Sequence, residues 1–221
     1  MRCHDRHIRP GRPELLLRTE RDALIPLLRD RPDADFALRT ACPGWTVRHV
    51  LAHCGAALTR IVENRVEKGV FTPEGNDRDI AERAGWSNAE VVDELERGMT
   101  EAGAVIARSG GRLDGVALGE WVHAGDVRDA FGEPGAYGGA GLEHALGILA
   151  HVSRQRAALP LRADIDGRDD PLVLGAAGGG RSPAHYVGDA PSLIRLYTGR
   201  SLTGTRYELV GAKESEPNLF G

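Results

Sequence analysis

Apolar residues recur at helical spacing in several separate stretches between residues 13 and 159 of this chain and shift to short, strand-like runs beyond them. Leu15, Leu16, Leu24, Leu27 and Leu28, set among charged neighbours, predict an amphipathic helix over residues 13–30. Pro13 suits its first turn, and Pro26 is expected to kink or shorten it. Residues 31–44, with Pro32 and Pro43, read as a linker. Val47, Val50, Leu51, Cys54, Leu58, Ile61 and Val62 draw one face of a second helix over residues 46–68, with Thr46 as N-cap and Gly69 as C-cap. Residues 70–86 keep no period and are expected to form a long loop, with at most a turn of helix at residues 79–83. Loops of that length often serve as functional lids. Ser87-Asn-Ala-Glu90 is a capping box that opens a third helix, which continues through Val91, Val92, Leu95, Met99 and Ala102 to about Arg108. A fourth helix is expected over residues 115–131 and a fifth over residues 142–159.

Past Pro160 the runs 161–165, 171–174 and 206–210 sit between Gly- and Asp-rich turns and read as strands, with an apolar helix at residues 190–197 before the last. The expected class is therefore mainly α. It comprises a loose tail (1–12), a helical bundle (13–159) and a small C-terminal α/β domain (160–221).

The apolar fraction of 41% leaves ample material for a core in a soluble chain of 221 residues. A net charge of −4 carries no electrostatic footprint for nucleic acid or an anionic membrane. No apolar run approaches the roughly 20 residues of a membrane span, and the charged N-terminus lacks the apolar stretch of a signal peptide, so a cytoplasmic location is expected. Three cysteines with no CxxC pair argue against a disulfide scaffold, and Cys42 and Cys54 read as small buried hydrophobes.

The candidate chemistry lies in two clusters. Cys42-Pro-Gly-Trp-Thr-Val-Arg-His-Val-Leu-Ala-His53 places His49 and His53 on one helical face. Gly119-Glu120-Trp-Val-His123-Ala-Gly-Asp126-Val-Arg128 places Glu120 and His123 on one face of another. If the two helices pack side by side, His53, Glu120 and His123 converge on one divalent metal with a coordination position open, as inward side chains of facing bundle helices often do. Asp126 would be a further ligand or would orient His123. The bland alternative is that these histidines are half-buried polar residues. The His-Glu-x-x-His pattern of metalloproteases fails because Val50 follows His49. His144 and His151 read as ordinary helix positions, His185 as a loop residue, and His4 and His7 as tail. Gly178-Gly-Gly-Arg-Ser182 reads as a flexible turn rather than a phosphate cradle, and no Gly-x-Ser-x-Gly elbow is present. Arg128 and Arg200 are candidates for holding an anionic substrate.

The segment Cys42 to His53 resembles the helix-two signature of the mycothiol-dependent maleylpyruvate isomerase family, a group of DinB-like proteins. Asn76-Asp-Arg-Asp-Ile-Ala-Glu-Arg83, Trp121-Val-His-Ala-Gly-Asp-Val-Arg-Asp-Ala-Phe-Gly132 and Leu196-Tyr-Thr-Gly-Arg200 are similar to further segments of that family. The resemblance implies a DinB-like four-helix bundle with a small C-terminal α/β domain, and metal ligands at His53 and His123. The family's ligand glutamate falls four residues before the second histidine, where this chain has Gly119. Glu120 is displaced by one position, about 100° around the helix, so either it, Asp126 or His49 serves instead, or this member has lost the metal. The implied cofactors are a divalent metal, zinc first, and mycothiol or a similar thiol. The implied reaction is isomerisation of, or thiol transfer to, a small electrophile, with Arg128 or Arg200 steering a carboxylate. A homodimer is compatible with this reading. The competing readings are a non-catalytic module that binds a small ligand and a metal-dependent hydrolase.

Overall fold

The computed structural model describes residues 11–67, 69–176 and 182–220; the 1–10 part of the expected tail and most of the Gly178–Ser182 turn lie outside the described residues. Helix α1 (Arg12–Arg29) carries Pro13 in its first turn. Pro26 does not end it, because that residue is on the solvent face, where water can meet the carbonyl left without a donor. The expected linker contains a 3-10 turn (Asp33–Ala37) and one bridge, Arg39 to Thr46.

Helix α2 (Val47–Val62) begins at the expected cap but stops six residues before Lys68. Residues 63–67 are all exposed and offer no face to bury, so nothing sustains the helix there. Glu63, not Gly69, is the C-cap, and Asn64 takes a left-handed φ of 55°. The expected loop is mostly helix: α3 spans Pro73–Glu82. The Thr72 side chain accepts from the Gly75 amide at 3.2 Å, and Pro73 occupies the first turn. Charge rather than apolar surface docks α3. Buried Asp79 pairs with Arg60 of α2, and Arg83 pairs with Glu94, with one bond at 2.7 Å. A search for apolar periods cannot see a helix held in this way.

Helix α4 (Asn88–Arg108) starts at the predicted capping box. Helix α5 (Asp114–Ala130) matches its expectation to within a residue at each end. Helix α6 (Leu142–Gln155) ends before residue 159, where Ala157 turns left-handed at φ 48° and the chain enters the sheet.

Helices α1, α4, α2 and α5 pack around a ring, each against the next, and α6 lies against α1 and α5. Strands β1 (Leu161–Ile165), β2 (Leu172–Leu174), β3 (Ala184–Gly188) and β4 (Tyr207–Val210) form a sheet of order β2-β1-β3-β4. The β1–β3 pair is parallel and the other two are antiparallel. Helix α7 (Ala190–Tyr197) connects β3 to β4. Strand β3 was expected to be loop; Ala184 and Tyr186 face the core, while His185 faces out and meets Asp164 at 2.7 Å.

Helix α5 borders two cores. Ala117, Ala124 and Val127 face the interior of the bundle, while Leu118, Trp121 and Val122 pack with α6, α7 and the sheet. It is therefore apolar on two sides, and between them Glu120 and His123 line a cavity. Among the described residues no helix is long and apolar enough to cross a membrane. Cys42 and Cys54 are both free thiols.

Candidate active site

A cavity of about 900 Å³ opens between α2, α3 and α5, closed on its remaining sides by the loop before α2, the turn after α7 and the C-terminal segment. The Pro43-Gly44-Trp45 turn, with Gly44 at φ 79° and the Trp45 amide bonded to the Cys42 carbonyl, presents Cys42 and Trp45 to it. Thr46 then caps α2, and about two turns further on His53 enters the cavity wall. Glu120 and His123 line the facing wall on α5. Arg200 arrives from the far end of the chain, brought round by Gly199 at φ 67° just after α7.

The three residues predicted to converge do share this cavity. The His53 and His123 rings lie edge to face with centroids 5.4 Å apart, and the Trp45 ring is 5.1 Å from that of His53. His53 is 9% exposed, and its Nδ1 is buried with no partner. Burial first, and then the neighbouring His123, lower its pKa to about 3, so the ring is neutral near pH 7. Glu120 is buried, and its Oε2 also lacks a partner. Burial raises its pKa to about 8, with a hydrogen bond from the Cys54 thiol opposing. Each therefore retains a buried atom with unmet bonding capacity, an arrangement that is costly without a proton or a cation to satisfy it.

His123 is oriented from behind. Its Nδ1 lies 3.0 Å from Asp126 Oδ2, which makes Nδ1 the donor and leaves Nε2 as the nitrogen free to bind. Asp126 is fully buried and also accepts from Arg200 Nε (3.0 Å) and Nη2 (2.7 Å) and from the Tyr137 hydroxyl (2.7 Å). Burial raises its pKa, but the bonds from His123 and Arg200 outweigh that and hold the carboxyl well below the usual range.

Among the described residues, the donor atoms that fall within 4.8 Å of one another are those of Cys42, His123 and Asp126, not those of the predicted trio. Arg200 Nη2 lies 3.7, 3.5 and 2.7 Å from these three, so that corner already holds a cation. The uncompensated donors are on the His53 and Glu120 side.

Other expected candidates lie elsewhere. Arg128 donates to buried Glu20 and to the Ala136 carbonyl, and does not line the cavity. His49 turns back to the start of α2, where its Nδ1 accepts from the Thr46 amide at 3.4 Å. His151 is 3.9 Å from Asp114, on the outside of the bundle.

Sequence reasoning missed two wall residues. Cys42, read as a buried hydrophobe, is only half-buried and lies 3.2 Å from Asp126 Oδ2. Its position in the turn just before a cavity-facing helix was the available signal. Burial, then the Asp126 charge, raises its pKa to about 12. Asn76 reaches the cavity from α3, and its Oδ1 is unpartnered; the lack of an apolar period in α3, which predicts a loop there, hides it.

The half of the chain that carries His53, Glu120 and His123 matches a known family. Residues 17–129 fit the mycothiol maleylpyruvate isomerase N-terminal domain. The chain belongs to that family. A crystal structure of the mycothiol-dependent maleylpyruvate isomerase superposes with a TM-score of 0.58 at 16% identity, covering 94% of this chain and 95% of that one. A histidine-to-alanine mutant of that isomerase superposes with a TM-score of 0.57 at the same identity and coverage. At this identity the likeness establishes the fold, DinB-like bundle and C-terminal sheet together. No curated protein matches the chain. Gly119, where the family's carboxylate is expected, lines the cavity, and a Cβ built there would meet only the Phe220 ring, at 4.0 Å. That wall is open in this member.

Proposed function

We propose that this family member is a metal-dependent enzyme that activates a low-molecular-weight thiol, mycothiol or a close analogue, to isomerise or modify a small electrophile such as maleylpyruvate. The observation that carries the reading is the pair of unpartnered buried atoms, His53 Nδ1 and Glu120 Oε2, on two helices that face one cavity. His53, Glu120 and His123 would hold the metal, and this donor set of two imidazoles and a carboxylate suits zinc. When bound, the metal lowers the pKa of a thiol so that thiolate is present near neutral pH, and the thiol supplies a nucleophile whose reversible addition to an activated double bond allows rotation about it.

The chain's own residues do the rest. Burial keeps His53 neutral and so able to ligate. Asp126 fixes the His123 ring with Nε2 outward. Arg200 keeps its charge at the cavity wall, with its plane set by Asp126 and the Thr198 carbonyl, and is the group to receive a substrate carboxylate. Arg128 holds α1 to α5 through Glu20. Cys42, Trp45 and the α3 wall narrow the access of water. Because Arg200 comes from the C-terminal part and the ligands come from the bundle, residues 13–159 and 160–221 act here as two units that build one site. We take the enzyme to be cytoplasmic.

The test is elemental analysis of protein purified without chelators, beside His53→Ala. About one equivalent of metal in the parent, lost in the variant, with thiol-dependent isomerisation only in the parent, is the expected result. Equal metal content in both proteins, or turnover that needs no thiol, would overturn the reading.

A further inference from the structure

The cavity is longer than the site just described. From His123 its floor runs along α5 past Gly119 to Gly115, and both glycines line it. Eight residues at the helical rise place Gly115 about 12 Å from His123 along the axis. A small electrophile seated beside His123 would leave this arm unfilled.

The arm ends in positive charge. Arg156 and Arg112 both line it. Arg156 is held in place: it donates to the Leu219 carbonyl, lies 5.2 Å from the centroid of the Phe220 ring, and covers Gly115, whose Cβ would come within 3.3 Å of Nη2. Arg112 Nε donates to the Ser109 carbonyl at 3.0 Å. Among the described residues neither guanidinium is ion-paired to a carboxylate. Arg200, which also lines the cavity, is paired with Asp126. Two unpaired guanidiniums over a floor without side chains leave both room and charge for an anionic group.

We infer that this arm is a second subsite, which binds the anionic end of an extended ligand whose reacting end lies at His123. Arg112 and Arg156 receive the anion, Gly115 and Gly119 let the ligand's connecting chain lie against the helix, and Phe220 covers it. The anion belongs either to a long thiol or to a long electrophile. Naming the reacting end rests on the proposed function, whereas the anion site does not.

The test uses inorganic phosphate as probe, titrated into the full-length protein while backbone amide signals are followed by NMR. Saturable shifts at Gly115 and Gly119 are expected, and they should persist in His53→Ala. Arg112→Gln and Arg156→Gln should each weaken the apparent affinity by about tenfold, the effect of losing one charge-assisted contact. Arg156→Gln also loosens the Phe220 segment; Arg112 makes no bond to that segment, so its variant is free of the complication, and Arg156→Lys should retain most of the binding. Absence of saturable shifts at the two glycines, or unchanged affinity in both glutamine variants, would overturn the subsite. With substrates in hand, Arg112→Gln should raise KM for one partner only. A rise for the thiol places the anion on the thiol, a rise for the electrophile places it there, and no rise for either counts against the subsite. Phosphate binding in a protein with no thiol-dependent activity would leave the subsite standing and the proposed function refuted.

Discussion

Asp126→Asn keeps the shape of a fully buried side chain and removes its charge. The carboxylate now takes two bonds from Arg200, at 3.0 and 2.7 Å, one from Tyr137 at 2.7 Å, and faces His123 Nδ1 at 3.0 Å. An asparagine offers one oxygen where the aspartate offers two, so at least one of these donors would meet an amide N–H instead. Arg200 is only 13% exposed, so its charge would stay buried without a counterion. Breaking one side of such a pair costs about 3–5 kcal/mol, a large share of the roughly 5–15 kcal/mol that holds a domain folded. For a chain of this size the melting midpoint should therefore fall by about 6–20 °C. Urea denaturation followed by circular dichroism, with calorimetry for the midpoint, measures the loss. Arg200→Met made alone and together with Asp126→Asn completes a double-mutant cycle. Strong coupling is expected, because removing both partners leaves no buried charge. A loss below about 1 kcal/mol, the scale of an exposed ion pair, or additivity across the cycle, would refute the claim that this pair is buried and is what orients His123.

Gly98→Ala would place a Cβ 2.7 Å from Leu58 Cβ, where α4 crosses α2, so despite the better helix propensity of alanine it should destabilise by about 1–3 kcal/mol in urea titrations; a neutral or stabilising result would show that the crossing can open without cost. Thr72→Ala removes the cap of α3 and should cost about 1 kcal/mol there, read as faster amide hydrogen exchange over residues 73–82 with α4 unchanged. Uniform acceleration across both helices would mean that α3 does not open on its own. Burial raises the Glu20 carboxyl from its ordinary 4.5 to about 7, with Arg128 pulling the other way. Since the folded-state value is the higher one, its contribution is complete below about pH 4.5 and is lost as the pH rises to about 7. Unfolding free energy should therefore fall across that window more steeply in the parent than in Glu20→Gln, and parallel curves would count against it.

Much of the helical framework is written locally. The Thr46 cap, the Ser87–Glu90 capping box and the apolar stripes of α1, α2 and α4 each depend on residues within a few positions of one another, so periodicity and caps suffice to find them. The convergence of His53, Glu120 and His123 on one cavity was legible for the same reason: spacing sets the face of each helix, and the family segments supplied the pairing of helices. What failed was structure held by non-local partners. The sequence of α3 reads as a loop because its docking face is Asp79 with Arg60 and Arg83 with Glu94, ion pairs between distant positions that leave no apolar period. Strand β3 was missed among glycines and prolines because its pairing with β1 and β4 is what makes it a strand.

By itself, then, the sequence determined the mainly helical class, the positions of the bundle helices and the two histidine-bearing faces, because capping and amphipathicity act over one or two turns. Only the tertiary structure decided that Arg200 rather than Arg128 reaches the cavity, that Cys42 is a wall residue, and that Asp126 serves Arg200 and His123 instead of facing a ligand. The physical reason is the same in each case. The worth of a charged or polar side chain depends on which partner and how much water remain beside it once the chain has folded, and for Asp126 the decisive partner lies 74 residues away.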